Sequence, residues 1–209
     1  MRWGGAGVAA RAASQVVPVV RQWAAAELLG IDFSGSYGKG TAISPGTDVD
    51  LFVSLDSAAG SLKDTYWSLF RWCADHHLPP QAGNVSVRVV CDGVRVDLVP
   101  GRKQKGATTD HTLYRRKADS WTQTNVGQHI RLVATSGRTD EIRAIKIWRE
   151  LHHLDFPSFY LELSVIEALK GRRAESLAAN VGAALAYLGG DFLKARVVDP
   201  GQQQQRDFG

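Results

Sequence analysis

Apolar residues recur at helical spacing from residue 6 to residue 29, through Val16, Val17, Val19, Val20, Trp23, Leu28 and Leu29, with Gly30 behind them. The pattern predicts a helix over 6–29, with Pro18 as the place for a kink. A short apolar run then predicts a strand at 31–34. At 48–55 the period changes to two: Val49, Leu51 and Val53 leave one face and the residues between them the other, which predicts a second strand. Ser61 or its neighbours open a further helix that reaches about His77 and is closed by Pro79-Pro80. Residues 85–99 alternate on both sides of Asp92-Gly93, the dipeptide that most strongly marks a two-residue hairpin turn. Pro100-Gly101 is expected to open a basic loop, Arg102 to Gly106. Helical patterns then dominate, at roughly 124–135, 138–153, 157–170 and 174–188, with Gly137 and Gly171 between them. No internal repeat is present, and the one low-complexity stretch is Gln202 to Gln205.

Strands interleaved with helices up to residue 99, then helices alone, predict an α/β (α+β) fold: a small mixed β-sheet lobe packed with helices, followed by a mostly helical C-terminal lobe. With 209 residues, 44% of them hydrophobic, the chain can bury a proper core as one two-lobed unit or two small domains, so the chain as a whole is not a disordered segment. Lys and Arg exceed Asp and Glu by four and the sequence pI is about 9.2. Carboxylates committed to a metal would leave the remaining surface more basic still, so affinity for polyanions is an expectation. Cys73 and Cys91 read as free core thiols of a reducing cytoplasm. No run is as long as a membrane span, and the Gly/Ala-rich start, interrupted by Arg11, lacks a signal-peptide apolar region, so no membrane partner is expected.

Chemistry concentrates between residues 35 and 50, Gly-Ser-Tyr-Gly-Lys-Gly-Thr-Ala-Ile-Ser-Pro-Gly-Thr-Asp-Val-Asp. Glycines 35, 38 and 40 let backbone N–H groups approach phosphate oxygens closely, and the Ser36 hydroxyl adds a donor. Asp48 and Asp50, two residues apart at the head of a strand, leave the same face, where they repel each other unless a cation joins them. Hard oxygen ligands with open positions suit Mg²⁺, which takes its remaining ligands from water and substrate phosphates. A lone Asp-x-Asp is more often a solvated edge; the Gly-Ser turn upstream favours the metal. Asp97 shares a strand face with Arg95, opposite Val94, Val96 and Leu98. Alone it would read as a cross-strand charge pair with Arg95 or Arg88. Beside the upstream pair it reads as the further carboxylate of a two-metal site.

Gly-Ser, then Asp-x-Asp, then a later strand Asp resembles the DNA polymerase beta nucleotidyltransferase superfamily. Gly35-Ser36-Tyr37-Gly38-Lys39-Gly40-Thr41-Ala42-Ile43 is similar to its branch of oligoadenylate synthetases, bacterial cyclic-oligonucleotide synthases (CD-NTases) and archaeal-type CCA-adding enzymes. Trp121 to Asn125 with His129, Glu141 to Trp148, and Phe156 to Leu163 resemble the helical half of the same enzymes, so the likeness covers roughly residues 10 to 200. The resemblance implies a catalytic domain over 1–108, a helical domain over 109–198 that closes a nucleotide cleft, and a disordered tail over 199–209. It implies two Mg²⁺ (or Mn²⁺) ions held by Asp48, Asp50 and Asp97. Gly35 and Ser36 would hold the triphosphate, Lys146 would reach its outer phosphates as a mobile point charge, and Ser158 would add a phosphate contact. Lys39 is a further phosphate candidate, although an exposed loop lysine is more often solvated. Phe159 reads as core rather than as a base platform.

The resemblance further implies transfer of a nucleoside monophosphate from an NTP, ATP first, to a hydroxyl with release of pyrophosphate. Three readings stay open. One is template-independent synthesis of an oligonucleotide or cyclic-nucleotide signal. A second is transfer to an RNA or tRNA 3′ end, for which Arg102, Lys103, Lys105 and the cluster Arg115-Arg116-Lys117 could guide the polynucleotide. The third, from another class, is a non-catalytic nucleotide sensor on the same fold. Asp199-Pro200 resembles a motif after which such enzymes continue with another helical stretch. His76-His77 and His152-His153 read as structural, near helix ends where a cation suits the helix dipole; His111 and His129 fall in family-like segments.

Overall fold

The computed structural model describes residues 7–43, 48–106, 108–172, 176–190 and 199. Its elements run α1 (Val8–Ala24), β1 (Leu28–Phe33), α2 (Gly35–Lys39), β2 (Val49–Leu55), α3 (Leu62–Asp75), β3 (Gln81–Ala82), β4 (Val87–Cys91), β5 (Val94–Lys103), β6 (His111–Arg115), β7 (Ser120–Thr124), α4 (Val126–Thr135), α5 (Thr139–Leu151), α6 (Ser158–Ala168) and α7 (Leu177–Gly189). Contacts divide the chain into two units, residues 1–38 with 44–127, and residues 39–43 with 128–209. The 199–209 tail predicted from the sequence lies outside the described residues apart from Asp199.

In the first unit seven strands form one mixed sheet among the described residues, in the order β1-β2-β5-β4-β3, with β6 joining β5 and β7 joining β6. β2 and β5 are parallel and every other pair is antiparallel. Alternation along β2 and β5 sends Val49, Leu51, Val53, Val96 and Leu98 into a core completed by Ala12, Ala13, Val16 and Val20 of α1 and by Tyr66, Leu69 and Cys73 of α3. The Ser61 hydroxyl starts α3 by accepting from the Asp64 N–H at 3.1 Å. His76 caps its far end, stacked on Trp72. Asp92 and Gly93 both have positive φ, as a hairpin turn of the predicted type requires. Cys73 and Cys91 are buried and free. No described helix is long and apolar enough to cross a membrane.

The second unit packs α5, α6 and α7 around Ile142, Ile145, Leu161, Val165, Leu169 and Ala184, with Val133 of α4. The Ser176 hydroxyl caps α7 by accepting from the Ala179 N–H.

Two sequence expectations are corrected. The helix predicted over 6–29 ends at Ala24, and Leu28 and Leu29 belong to β1: their apolar side chains fit either period, and pairing with β2 decides. Pro100-Gly101 opens no loop, because β5 continues to Lys103. β5 exchanges its antiparallel partner from β4, up to Leu98, to β6, from Arg102, and Pro100 stands in the interval where that edge has no ladder bond to make. Arg115 ends β6, and Arg116 and Lys117 enter a 3₁₀ turn. β6 and β7 extend the sheet past residue 108, and residues 39–43 group with the helical unit.

Candidate active site

In the first unit the parallel register of β2 and β5 places Asp50 directly beside Asp97. Asp48 stands one residue before β2. Ahead of the pair, β1 leads through Ser34 into α2: the Ser34 N–H donates to the Asp50 carbonyl at 2.8 Å, and Gly38 N–H donates back to the Ser34 carbonyl at 2.9 Å. Gly35 has φ +52°, and a Cβ there would stand 1.7 Å from Asp50 Oδ2. The turn therefore lies against the Asp50 carboxylate and requires glycine both for its backbone and for its lack of a side chain. Ser36 follows on α2, half-buried.

Two arginines address the other carboxylates. Arg88, the cross-strand partner of Asp97, donates from Nε to Oδ1 at 2.9 Å and from Nη2 to Oδ2 at 2.7 Å. The same Nη2 is 3.7 Å from Asp48 Oδ2. Arg95 Nε donates to Asp48 Oδ1 at 2.6 Å. The charge pair weighed for Asp97 against a metal role is thus present, with Arg88 and not Arg95. Its hydrogen bonds to Asp97, and beyond them the charges of Asp97, Asp48 and Asp50, hold the Arg88 guanidinium even more firmly protonated than usual. Among the described residues, no group of three or more His, Cys, Asp and Glu side chains is gathered to hold a metal. The donor chemistry still fits a hard divalent cation: Asp50 and Asp97 are in register on adjacent strands, Asp48 stands one residue ahead of β2, and one guanidinium reaches both Asp97 and Asp48.

The second unit holds a separate ionic cluster around Glu162 of α6, which is fully buried. Lys146 Nζ of α5 donates to Glu162 Oε1 at 3.0 Å and to the carbonyl and hydroxyl of Thr41 at 3.3 Å. Lys39 Nζ pairs with Glu162 Oε2 at 2.5 Å and lies 4.5 Å from the centre of the Phe159 ring. The Thr41 hydroxyl donates to Glu162 Oε1 at 2.7 Å. Two ammonium groups on one carboxylate leave net positive charge inside the protein. Burial pushes the Lys146 ammonium down from its ordinary range, the Glu162 charge resists, and Lys39 and Arg149 push further down. Lys146 and Lys39 are both buried and both paired with Glu162. Ser158 starts α6, where its hydroxyl accepts from Arg149 Nη1 at 3.0 Å. Phe159 packs against the helical core, as expected, with its ring centre 4.4 Å from that of His129. His129 Nε2 is 2.8 Å from Asp199 Oδ1.

The sequence reading missed Glu162 as the centre of this cluster, and named His111 without a partner. A lone acid inside the apolar run Leu161-Glu162-Leu163-Ser164-Val165 is itself a signal, because a helix buried on that face must supply a partner for the charge. His111 is buried, with Nε2 2.7 Å from Ser54 Oγ, Nδ1 3.0 Å from the Thr109 carbonyl and its ring edge-on to Phe52. Burial lowers its pKa, only partly opposed by the carbonyl bond. Of the basic residues considered for a polynucleotide, Arg102 donates to the Gly60 carbonyl and Arg116 to the Gly83 carbonyl, so both are spent on loop structure.

No protein-family profile matches the sequence, and no curated protein does. Solved structures do. Escherichia coli MS115-1 CdnC with ATP superposes with a TM-score of 0.72 at 21% identity over 96% of this chain and 72% of that one. The CdnC complex with HORMA-deltaN gives 0.70 at 22%, over 92% of this chain and 66% of that one. The Bradyrhizobium diazoefficiens CD-NTase CdnG in complex with GTP gives 0.71 at 12%, over 93% and 76%. The Rhodothermus marinus CdnE c-UMP-AMP synthase gives 0.64 at 16%, over 93% and 80%. The chain thus spans from about two thirds to four fifths of these proteins, and the likeness shows a shared fold.

Proposed function

From the fold it shares with the bacterial CD-NTases, we propose that this chain is a template-independent nucleotidyltransferase that makes an oligonucleotide or cyclic-nucleotide signal. The observation that carries the proposal is the register of Asp50 beside Asp97 on adjacent parallel strands, with Asp48 at the strand head and the Gly35 turn packed on Asp50. In this reading Asp48, Asp50 and Asp97 hold Mg²⁺ or Mn²⁺. When bound, the ions supply charge neutralisation of a triphosphate and lower the pKa of an acceptor hydroxyl.

The protein's own part is positioning and electrostatics, as is general in phosphoryl transfer. The Gly35 turn offers backbone N–H groups and the Ser36 hydroxyl to phosphate oxygens. The acceptor oxygen attacks the α-phosphorus, its proton passes to a carboxylate, Asp97 in this reading, and the bond to the β-phosphate breaks to release pyrophosphate. Lys39, Lys146 and Ser158 remain the proposed phosphate contacts of the second unit, where Glu162 sets the two ammonium groups. ATP is the first nucleotide to try, since one fold relative was solved with it. Two buried thiols and an NTP substrate suit a cytoplasmic protein.

The test incubates purified protein with each α-labelled NTP and Mg²⁺ or Mn²⁺, alone and with total tRNA, beside Asp48→Ala/Asp50→Ala. Label in small phosphatase-resistant products without RNA, absent from the variant, is the expected result. Label moving only onto RNA would make the chain a terminal RNA transferase. No incorporation under any condition would leave a nucleotide sensor on the same fold.

A further inference from the structure

Asp97 and Asp48 already have a cation. Arg88 grips both oxygens of Asp97 and comes within 3.7 Å of Asp48, while Arg95 takes the other Asp48 oxygen at 2.6 Å. The two arginines differ in what holds them. Arg88 is directly opposite Asp97 in the antiparallel ladder of β4 and β5, and the Asp97 side chain is only 11% exposed. Arg95 is 58% exposed at its side chain and makes a single charge-assisted bond to Asp48.

We propose that Arg88 is a positioning residue of the carboxylate site: a resident counter-cation that fixes Asp97 and that a divalent ion must displace before Asp97 can serve as a ligand. The proposal rests on the reading that these carboxylates hold a metal. Asp97 and Asp48, both within reach of the same Arg88 nitrogen, repel each other when nothing neutralises them, and the guanidinium, bidentate on Asp97, offsets that repulsion. Its fork matches the carboxylate plane, so both Asp97 oxygens are engaged by it. A metal ion needs one of those oxygens and brings a second positive charge close to the guanidinium. Cation and guanidinium therefore compete for Asp97, and the affinity for free metal is lower than the three carboxylates alone would give. An incoming triphosphate relieves the competition, because its anionic oxygens accept a displaced guanidinium as well as the carboxylate did. Metal and nucleotide then bind more tightly together than either does alone.

Mn²⁺ binding followed by electron paramagnetic resonance tests this without reference to turnover, on the full chain, with circular dichroism as the check of folding. Arg88→Met is expected to bind free Mn²⁺ about tenfold more tightly than the parent, the scale of losing a hydrogen-bonded competitor at a charged group. Arg88→Lys keeps the charge without the fork and is expected to fall between the two. Arg95→Met, which frees only the more exposed carboxylate, is expected to gain less than Arg88→Met. Equal or weaker Mn²⁺ binding in Arg88→Met and Arg88→Lys would overturn the exchange while leaving a metal site in place. No Mn²⁺ binding in the parent or any variant would overturn the metal reading and the exchange with it.

Discussion

Gly35 and Asp50 are packed so closely that a single methyl group at Gly35 would stand 1.7 Å from the Asp50 Oδ2 and 2.6 Å from its Cγ. The residue that opens the turn proposed to bind phosphate and the residue proposed to hold the metal thus share one space, although 15 positions separate them. The Gly35 φ of +52° adds a backbone reason for glycine. Gly35→Ala is expected to cost about 1–2 kcal/mol in left-handed strain alone, and to turn the Asp50 carboxylate away. Urea unfolding should show the stability loss, and incorporation of labelled NTP should fall at least as far as in Asp50→Ala. Normal incorporation by Gly35→Ala would show that the contact does not matter.

Asp50→Ala removes a carboxylate without removing core, since the apolar neighbours Val49 and Leu51 are the residues that face inward. It is expected to abolish incorporation and to leave the circular dichroism spectrum and the unfolding midpoint close to those of the parent.

Glu162 joins Lys39, Thr41 and Lys146 in a site with no solvent exposure at the carboxylate. Glu162→Gln leaves two buried ammonium groups without their anion and is expected to destabilise by about 3–5 kcal/mol. In the double variant with Lys146→Met the loss should be smaller than the sum of the two single losses, which denaturant unfolding of the full cycle measures directly. Additive losses would mean that Lys146 and Glu162 do not stabilise one another.

His111 is held neutral by burial, so its pKa in the folded protein lies below the ordinary 6.5. A group whose folded pKa is depressed contributes stability above its unfolded pKa and loses it as the pH falls towards the folded value. Stability should therefore decline as the pH drops below about 6.5. His111→Gln should show a flatter profile between pH 7.5 and 5, at the cost of a weaker contact to Ser54. The measurement is the urea midpoint at each pH.

Cys73 lies in the first core, and burial, helped by the nearby Cys91, pushes its thiol up to about 11. At pH 8 only about one molecule in a thousand carries the reactive thiolate even before access is considered. Ellman's reagent is expected to leave Cys73 unmodified in the native protein and to label it rapidly in guanidinium chloride. Fast native labelling of Cys73 would show that α3 opens on its own.

The parts of this protein that were legible along the chain are those whose cause is local. The alternation of 48–55 and of 85–99 around Asp92-Gly93 placed β2, β4 and β5, because side-chain direction in a strand depends only on position along it. Ser61 marked a helix start because its hydroxyl caps an N–H three residues away. The Gly-Ser turn and the Asp-x-Asp pair stood out for the same reason. Folding in three dimensions settled the partners. Asp97 meets Asp50 through a parallel register that no short-range pattern encodes, and the arginine that neutralises it comes from the opposite hairpin strand and not from the neighbour two residues away. In the sequence Lys39 read as a loop lysine and Lys146 as a mobile point charge, with nothing along the chain to mark either as buried. Their burial follows from Glu162, whose bond to Thr41 closes a loop of 121 residues. Charges acquire their environment from whatever packs over them, and that is a property of the assembled chain: the residue types needed for phosphate chemistry can be read in order, while their protonation, their freedom and their counter-ions belong to the fold.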